Sequence, residues 1–273
     1  MAQQIERTLD IIELLVDEPA GLALGELALR IGLPKSAAHR LLAELVDQGY
    51  AQQDPASQHY KLTMRLVVLG FRFLNNTGLT DACQPVLDGL AERSGELVRM
   101  TVVDGKNLVW VAEAQGARHG LRYDGGFGRR VNLSATATGK SWLATLSDDD
   151  AVAIVLNQGF GDPDEVGPSA LRSVSTLLDE LTSTRARGFG LAVNEGEPGI
   201  SAVAAVIRVS ENEPCVGTVS VTGPLIRMTP EAQAELAPLV VEAAQVLGRL
   251  WPVRMHQSEV QRQTRELLAQ ANR

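Results

Sequence analysis

Residues 134–141 read SATATGKS and end in Gly139-Lys140-Ser141, residue types that can bind phosphate. In a phosphate-binding loop of this kind, backbone amides surround the phosphates, the lysine contacts them and the hydroxyl holds Mg²⁺. Such a loop also needs a glycine five residues before Gly139, and Ser134 occupies that position. The lead-in, GGFGRRVNL, is polar and glycine-rich, whereas a phosphate loop follows a buried apolar strand. These departures argue against nucleotide hydrolysis.

The same segment has a second chemical use, because the exposed amides at the start of a helix favour an anion. No later apolar strand ends in the aspartate that would help to hold magnesium. The residues therefore favour an anion at this helix start but give little support to a magnesium-bound nucleotide. A nucleotide-binding enzyme that uses residues 134–141 is kept as the alternative function.

A second group of residues combines two cations with small and hydrogen-bonding side chains: Lys35, Ser36, Ala37, His39 and Arg40. No acidic residue occurs between Leu27 and Ala43. The net charge of −8 excludes a general polycation, so attraction for nucleic-acid phosphates must come from one cationic face. The alternative is that these residues are only solvated charges on a surface helix.

The elements around this group favour contact with DNA. Apolar residues recur at spacings of three and four and predict helices at 4–18, 25–31 and from Pro34 to about Gln48. Gly49 ends the third helix, and two short strands at 50–53 and 59–62 follow around the turn DPASQ. Three helices and a hairpin in this order predict a winged helix-turn-helix, whose third helix begins in the major groove.

A winged helix-turn-helix implies a role in DNA binding for each residue of this group and for one residue of the hairpin. The cations Lys35, Arg40 and Lys61 are predicted to contact phosphates. The side chains of Ser36, Ala37 and His39 are predicted to approach base edges.

The sequence after residue 62 predicts two helices followed by a domain that contains both strands and helices. Residues 63–74 form a helix that is too apolar for a free linker, residues 75–78 break it, and residues 79–93 form the next helix. Strands are predicted at 97–103, 107–113, 190–194, 202–209 and 216–222. Helices are predicted at 137–146, 148–158, 171–187 and 231–251. Because strands and helices do not alternate regularly, the sheet is expected to be mostly antiparallel.

Composition narrows the class of protein further. The 273 residues, of which 45% are hydrophobic, suffice for two domains with substantial cores. No apolar stretch is long enough to span a membrane, and MAQQIERTLD lacks the pattern of a secretory signal. Cys83 and Cys215 are far apart and outside any CxxC motif, which fits two buried thiols in a reduced cytoplasm.

Three segments resemble the beginning of the IclR-type bacterial transcription regulators: RTLDIIELL, LGELALRIGLPKSAAHRLLAELVDQGY and HYKLTMRLVVLG. The resemblance implies that the winged helix-turn-helix binds double-stranded operator DNA as a homodimer. It also implies a helical linker to a GAF-like effector domain. The expected partners are therefore operator DNA, an effector and further copies of this chain in a dimer or a tetramer, with no membrane partner.

Three later segments resemble the effector domain of the same family: FGRRVNLSATATGKSWLATL, RARGFGLAVNEGEPGISAVAAVI and TVSVTGP. The resemblance implies a cavity for a small organic acid. Carried over by position, the residues that line it are Leu121, Tyr123, Ala137, Thr138, Ala202, Ser220 and Thr222. The amides of Ala137 and Thr138 and the hydroxyls of Ser220 and Thr222 are expected to bind the polar group.

The sequence departs from the family pattern near this cavity. Asn194 precedes Glu195 where the family usually has two carboxylates, and Ala192 stands where some members bring an acidic side chain near the ligand. A small neutral residue enlarges the cavity and removes a negative charge. We therefore expect a ligand bulkier than a two- or three-carbon acid, such as an aromatic or substituted carboxylate.

Taken together, the patterns and the family resemblance predict an α+β regulator with four parts: a winged helix-turn-helix at 1–62, a linker helix at 63–78, a GAF-like effector domain at 79–252 and a helical tail at 253–273. No catalytic residue, metal or cofactor is expected, because the four histidines lack metal-ligand spacing and no G-x-S-x-G motif occurs. A sensing module that acts only through protein partners is a further possibility.

Overall fold

A computed structural model describes residues 2–125 and 130–251 of the chain. The chain divides into two compact units, residues 1–76 and 77–273. The division falls inside the predicted linker at 63–78. The tail helix predicted at 253–273 lies outside the described residues.

The first unit contains three helices and a two-stranded hairpin. They are α1 (Ala2–Val16), α2 (Leu24–Arg30), α3 (Lys35–Asp47), β1 (Ala51–Gln53) and β2 (Tyr60–Leu62), and the strands are antiparallel. Its core includes Ile11, Leu27 and Leu42, one from each helix, together with Tyr60 of the hairpin. The helical spacing of these apolar residues places them on the inner faces of their helices.

A glycine is required where the chain enters this unit's small sheet. Leu22 pairs with Tyr60 through two backbone hydrogen bonds of 3.0 and 2.8 Å. The preceding Gly21 has φ +80°, and a Cβ atom there would lie 2.6 Å from the Tyr60 carbonyl oxygen. Any other residue would therefore be both strained and in collision, and the close pairing of Leu22 with the hairpin would be disrupted.

The helix that follows the hairpin, α4 (Arg65–Thr77), has no buried residue among those of its own span. Its apolar side chains are uncovered in the single chain; Phe71 is 62% exposed and Phe73 is 68% exposed. The predicted break at 75–78 is shorter than expected, because the helix continues through Asn76 and Thr77. Gly78, with the left-handed φ of +68°, ends it.

The second unit is built on a five-stranded sheet in the order β4-β3-β7-β6-β5. The strands are β3 (Leu97–Asp104), β4 (Asn107–Gln115), β5 (Gly190–Val193), β6 (Ile200–Ile207) and β7 (Gly217–Pro224). Each neighbouring pair in this order is antiparallel. The expected α+β class with a mostly antiparallel sheet is confirmed.

Alternation along the strands sends two different sets of side chains to the two faces of the sheet. Met100, Val203 and Val219 belong to a core shared with α5 (Leu79–Ser94) and α9 (Pro230–Leu250). On the other face, Val103 and its neighbours pack with the remaining helices. These are α6 (Ala137–Leu143), α7 (Asp148–Gln158) and α8 (Val174–Arg187).

Two helix predictions need correction. The helix expected at 137–146 ends at Leu143, because the next residues make tighter turns, with Thr145 and Leu146 donating to carbonyls three residues back. The helix expected from residue 171 begins at Val174, because Ser173 caps it by accepting a hydrogen bond from the Thr176 amide. The helix at 148–158 has the predicted bounds.

No helix within the two described stretches is both long enough and apolar enough to cross a membrane.

We expect both cysteines to be unreactive in the folded protein. Burial raises the pKa of Cys83 and of Cys215 to about 11. At about pH 8 only about 0.1% of such a thiol is ionised, against about a quarter for a thiol with the ordinary pKa near 8.5. Titration with a thiol reagent should therefore detect two fast thiols in guanidinium chloride and none without it. One fast equivalent in the native protein would contradict the burial of its thiol.

Candidate functional site

The outer face of α3 presents the residues that the sequence assigned to DNA. Lys35, Ser36, His39 and Arg40 are exposed, and Ala37 is half-buried. The opposite face carries the buried residues of the core, and the first turn contains no acidic residue. Side chains four residues apart are neighbours on a helix, so the exposed residues form one continuous patch at the start of α3.

Helix α2 packs closely against this patch. A Cβ atom at Gly25 would lie 3.2 Å from Cε and 3.4 Å from Nζ of Lys35. The missing side chain of Gly25 thus leaves room for the lysine stem to cross α2. A larger residue there would push the Lys35 ammonium group aside and change its position relative to the patch.

The hairpin has an ordered tip beside a cation. The Asp54 carboxylate accepts hydrogen bonds from the amides of Ser57 (2.9 Å) and Ala56 (3.0 Å), and these bonds lower the pKa of Asp54. Lys61 Nζ lies 3.8 Å from the same carboxylate. Because Asp54 offsets part of its charge, Lys61 is a weaker candidate for a phosphate contact than the exposed cations of α3. The DNA-binding assignments of all these residues stay predictions.

In the second unit, the Gly-Lys-Ser segment is folded into the protein. Gly139 lies so close to Leu133 that a Cβ atom would be 2.2 Å from its carbonyl oxygen. The Ser141 hydroxyl donates to the Ala204 carbonyl of β6 and accepts from the Gly190 amide of β5, both at 2.9 Å. Gly139 therefore lets α6 pack against the segment that precedes it, and Ser141 docks α6 against the sheet.

Lys140 is also turned inward, and it is paired with two carboxylates. It is 1% exposed, and its Nζ lies 2.8 and 2.9 Å from the two carboxylate oxygens of Glu195 and 3.5 Å from Glu180. Burial raises the pKa of Glu195, and Lys140 acts against that rise. A lysine held in this way cannot contact a nucleotide phosphate. The alternative of a nucleotide-binding enzyme that uses residues 134–141 is therefore wrong.

The sequence analysis missed Glu195 as the partner of Lys140. A signal was present, because a lysine inside an otherwise apolar helix must either reach solvent or meet a buried carboxylate. Glu195, in the connection from β5 to β6, was noted only as the neighbour of Asn194, which is the departure from the family pattern.

Five of the seven predicted ligand-binding residues lie where α6 begins above the sheet. Ser220 and Thr222 are neighbours of Ala204 and Ala202 across the β6–β7 pair. Ala137, the first residue of α6, packs in a cluster with Ala204, and Ala202 lies against that cluster. Thr138, which follows in the first turn of α6, is 2% exposed. Small side chains thus form a floor with two hydroxyl groups beside the helix start.

The hydroxyl of Ser220 stands out in this cluster. Ser220 is 1% exposed, and within the described part of the chain its Oγ has no hydrogen-bond partner. A buried hydroxyl without a partner costs about 1–3 kcal/mol of stability. Such a group is better explained by a ligand that it binds than by the stability of the fold.

Tyr123 and Leu121 lie in the segment that precedes residues 126–129. The Tyr123 hydroxyl donates to the Glu197 carboxylate at 3.0 Å, and Gln115 donates to the Tyr123 carbonyl at 3.0 Å. Leu121 is 63% exposed, so the structure does not bring it into the cluster around Ser220. The predicted roles of both residues remain predictions.

A buried arginine, which the sequence analysis did not select, lies next to Ser220. Arg99 of β3 is directly opposite Ser220 in the strand register and is 5% exposed. Its guanidinium lies over the Trp110 ring, 3.8 Å from the centroid, and its Nε is 3.8 Å from the Glu113 carboxylate. Burial lowers the pKa of Arg99 and raises the pKa of Glu113. The signal in the sequence was a single cation inside the apolar strand LVRMTVV.

Within the described residues, no group of three or more histidine, cysteine, aspartate or glutamate side chains is placed to hold a metal ion.

A winged helix-turn-helix followed by a separate domain with a buried polar cluster defines a two-part regulator that combines a DNA-binding unit with a ligand-binding unit. The comparisons with known proteins agree with this class. Residues 4–55 match the IclR helix-turn-helix domain, and residues 71–249 match the C-terminal domain of bacterial transcriptional regulators of the IclR type. The chain belongs to the IclR family of bacterial transcription regulators.

Individual relatives cover most of the chain. It is 30% identical over 244 residues to the transcriptional repressor IclR of Escherichia coli, and the matched region covers 89% of this chain and 87% of that protein. It is 29% identical over 247 residues to the regulator BhcR of Paracoccus denitrificans, and the matched region covers 89% of this chain and 85% of that protein. The crystal structure of an IclR homologue from Microbacterium hydrocarbonoxydans, complexed with 4-hydroxybenzoate, matches this chain with a TM-score of 0.73 at 20% sequence identity. The match covers 91% of this chain and 98% of that chain. The relatives are named as regulators and repressors, and this chain is not an enzyme.

Removing the buried ammonium group should unfold the second unit more easily. Lys140→Met leaves the Glu195 carboxylate buried without its partner, so we expect a loss of about 3–5 kcal/mol in the free energy of unfolding near pH 7. Lys106→Met, at an exposed turn, is the control and should cost under about 0.5 kcal/mol. Urea denaturation measures both.

The loss should also depend on pH. Without Lys140 the pKa of Glu195 rises further, and a carboxyl whose folded pKa exceeds its unfolded pKa loses stability as pH rises between the two values. The deficit of Lys140→Met should therefore shrink as pH is lowered toward about 5. A deficit that does not change with pH would show that Glu195 is not the group left uncompensated.

Proposed function

We propose that the second unit binds a small organic acid and that this ligand controls binding of the first unit to operator DNA. The observation that carries the proposal is the buried, unpartnered hydroxyl of Ser220 among the described residues, beside the floor of small side chains under α6. A ligand can regulate only if it binds two forms of the protein with different affinity. The first unit then reports occupancy of the second as a change in DNA binding.

The size of the floor supports a ligand larger than a two- or three-carbon acid. Ala192, Ala202 and Ala204 offer only methyl groups on this face, with Ala192 at 4% exposure. The Microbacterium homologue was crystallised with 4-hydroxybenzoate, an aromatic acid with a second polar group. We infer that this chain takes an aromatic or substituted carboxylate, and 4-hydroxybenzoate is a suitable first probe.

Self-association is also part of the proposal. The uncovered phenylalanine side chains of α4 need a partner surface, and a second copy of the same helix supplies one with matching apolar character. A dimer would present two copies of α3 to successive major grooves. Sedimentation at equilibrium tests the association state directly.

Substitution of Lys35 should weaken DNA binding without changing sequence preference. If Lys35 neutralises a phosphate, Lys35→Ala lowers affinity for all duplexes by a similar factor and makes the slope of log affinity against log salt shallower by about 0.9 per phosphate. Gel shifts with the promoter region beside the protein's own gene, at several salt concentrations, measure both. Lys106→Ala in the second unit is the matched control. An unchanged slope would show that Lys35 does not bind a phosphate.

Ser220→Ala should separate stability from ligand binding. Removing a buried hydroxyl that has no partner leaves the melting temperature unchanged or higher, while ligand affinity falls about 2- to 10-fold. Ser201→Ala is the matched control: Ser201 is also buried and without a hydrogen-bond partner in the described chain, but it precedes Ala202 and so lies on the other face of β6. Calorimetry with 4-hydroxybenzoate and thermal melts give the two readouts. Equal loss of affinity in both variants would place the ligand elsewhere.

A further inference from the structure

We propose that Thr63 and Arg65 are positioning residues that join helix α4 to the C-terminal end of α3. A displacement of α4 then tilts α3 and re-aims the residues at its start. Where it concerns the ligand, the inference rests on the proposed function, because it names the route by which occupancy of the second unit reaches DNA. It goes further by assigning that route to particular contacts within the first unit.

The C-terminal end of α3 is closed by a cap of two residues. The Gly49 amide donates to the Val46 carbonyl at 2.9 Å. The Tyr50 amide donates to the Leu45 carbonyl at 2.8 Å, and Gly49 has the left-handed φ of +74°. Two such hydrogen bonds around a left-handed glycine form the Schellman motif, which satisfies the last carbonyls of a helix. Gly49 and Tyr50 are therefore fixed to α3.

The residue before α4 is attached to this cap through its backbone and its side chain. The Thr63 amide donates to the Tyr50 carbonyl at 2.9 Å, and the Thr63 hydroxyl donates to the Gly49 carbonyl at 2.6 Å. The same hydroxyl accepts a hydrogen bond from the Arg65 amide at 3.2 Å, which satisfies an amide in the first turn of α4. One threonine thus connects the cap of α3 to the start of α4.

The Arg65 side chain makes a second connection to the same cap. Its guanidinium lies over the Tyr50 ring, with Cζ 4.9 Å from the ring centroid. A Cβ atom at Gly49 would lie 3.3 Å from Arg65 Nη1, so the guanidinium also lies against the glycine that ends α3. A planar cation is attracted to the face of an aromatic ring. The contact therefore restrains the first turn of α4 relative to Tyr50.

The core of the first unit does not hold the rest of α4. No residue of this helix is buried, and within the described chain none of its apolar residues belongs to that core or packs against it. The helix continues to Thr77, where the chain enters the second unit. A movement at the far end of α4 therefore reaches the first unit through the turn that contains Thr63 and Arg65.

A tilt at the cap changes the position of the DNA-facing residues without altering their chemistry. Helix α3 has 13 residues, so its cap lies about 20 Å from its first turn at 1.5 Å per residue. A tilt of about 10° at the cap would move Lys35 by about 3 Å, which is enough to break a hydrogen bond to a phosphate. A small displacement of α4 is thus sufficient to change DNA affinity.

The salt dependence of DNA binding tests the joint in the full-length chain without any ligand. Arg65→Met should lower affinity for the promoter DNA about 3- to 10-fold and leave the slope of log affinity against log salt unchanged, because no phosphate contact is lost. Arg65→Lys keeps a cation over Tyr50 and should recover most of the affinity. Arg72→Met removes the same charge from an exposed position of the same helix and should change affinity less than about twofold.

Two results of that experiment would overturn the proposal. A slope that becomes shallower by about 0.9 in Arg65→Met would make Arg65 a phosphate contact and not a positioning residue. Equal losses of affinity in Arg65→Met and Arg72→Met would show that only the charge of α4 matters.

The effect of a ligand on DNA binding tests the route itself. Gel shifts with and without saturating 4-hydroxybenzoate give the factor by which the ligand changes DNA affinity, about 5- to 150-fold in most allosteric proteins. In the double substitution Thr63→Val and Arg65→Met this factor should fall below about 2, while calorimetry gives a ligand affinity within about threefold of the unmodified protein's. Thr63→Ser keeps the hydroxyl and should keep the factor. If the double variant is unfolded in a thermal melt, Thr63→Val is compared with Thr63→Ser in its place.

The outcomes separate this inference from the proposed function. If the unmodified protein and the double variant respond to 4-hydroxybenzoate by the same factor, the joint is only structural, and ligand control of DNA binding stands without it. If the gel shift of the unmodified protein does not respond to this probe, the aromatic-acid form of the proposed function fails, and the transmitting role of the joint fails with it. The salt dependence then still decides whether Arg65 positions α3.

Discussion

The ion pair between Lys140 and Glu195 is the interaction on which the second unit depends most. An isolated helix of seven residues is unstable in water, so α6 can exist only through its contacts with the sheet. The Lys140 ammonium group, 2.8 Å from Glu195, ties α6 to the connection between β5 and β6. Ser141 adds hydrogen bonds to both of these strands. The resemblance to a phosphate loop arises because close helix-to-sheet docking also requires a small residue, a long cation and a hydroxyl.

A buried ion pair and a buried hydroxyl group on this side of the sheet differ in how well their hydrogen bonds are satisfied. Lys140 makes short hydrogen bonds to both oxygens of Glu195, as expected for a pair that only has to hold the fold together. The Ser220 hydroxyl, in contrast, has no hydrogen-bond partner in the described chain. Polar groups that a fold buries without full satisfaction are typical of binding sites, since the missing partner arrives with the ligand. The contrast supports a structural role for Lys140 and the proposed binding role for Ser220.

The sequence predicts well whatever depends on neighbours along the chain. The 3.6-residue periodicity, Pro34 and Gly49 define α3, and alternation with turn residues locates the strands that the structure describes. The pairings that build the polar cluster depend on strand order, which local patterns do not contain. Arg99 lies opposite Ser220 only because β3 pairs with β7. The two residues are 121 positions apart in the sequence (220 minus 99). The resemblance to the family supplied Ser220, Thr222 and Ala202 by position, but it did not supply Arg99 or Glu195, whose importance appears only in three dimensions.

If the effector is held by Ser220, its recognition and its regulatory effect have different physical origins. Ser220 lies on β7, the central strand of a five-stranded sheet, where close packing resists displacement, so it offers a ligand nearly the same site in any form of the protein. A ligand that binds two forms equally shifts neither. The difference in affinity must then come from the groups that close over the sheet. Tyr123 belongs to that layer, because its hydroxyl reaches Glu197 and its carbonyl accepts from Gln115. On the proposed function, the strands would select the ligand, and Tyr123 with its contacts would belong to the part that responds to binding.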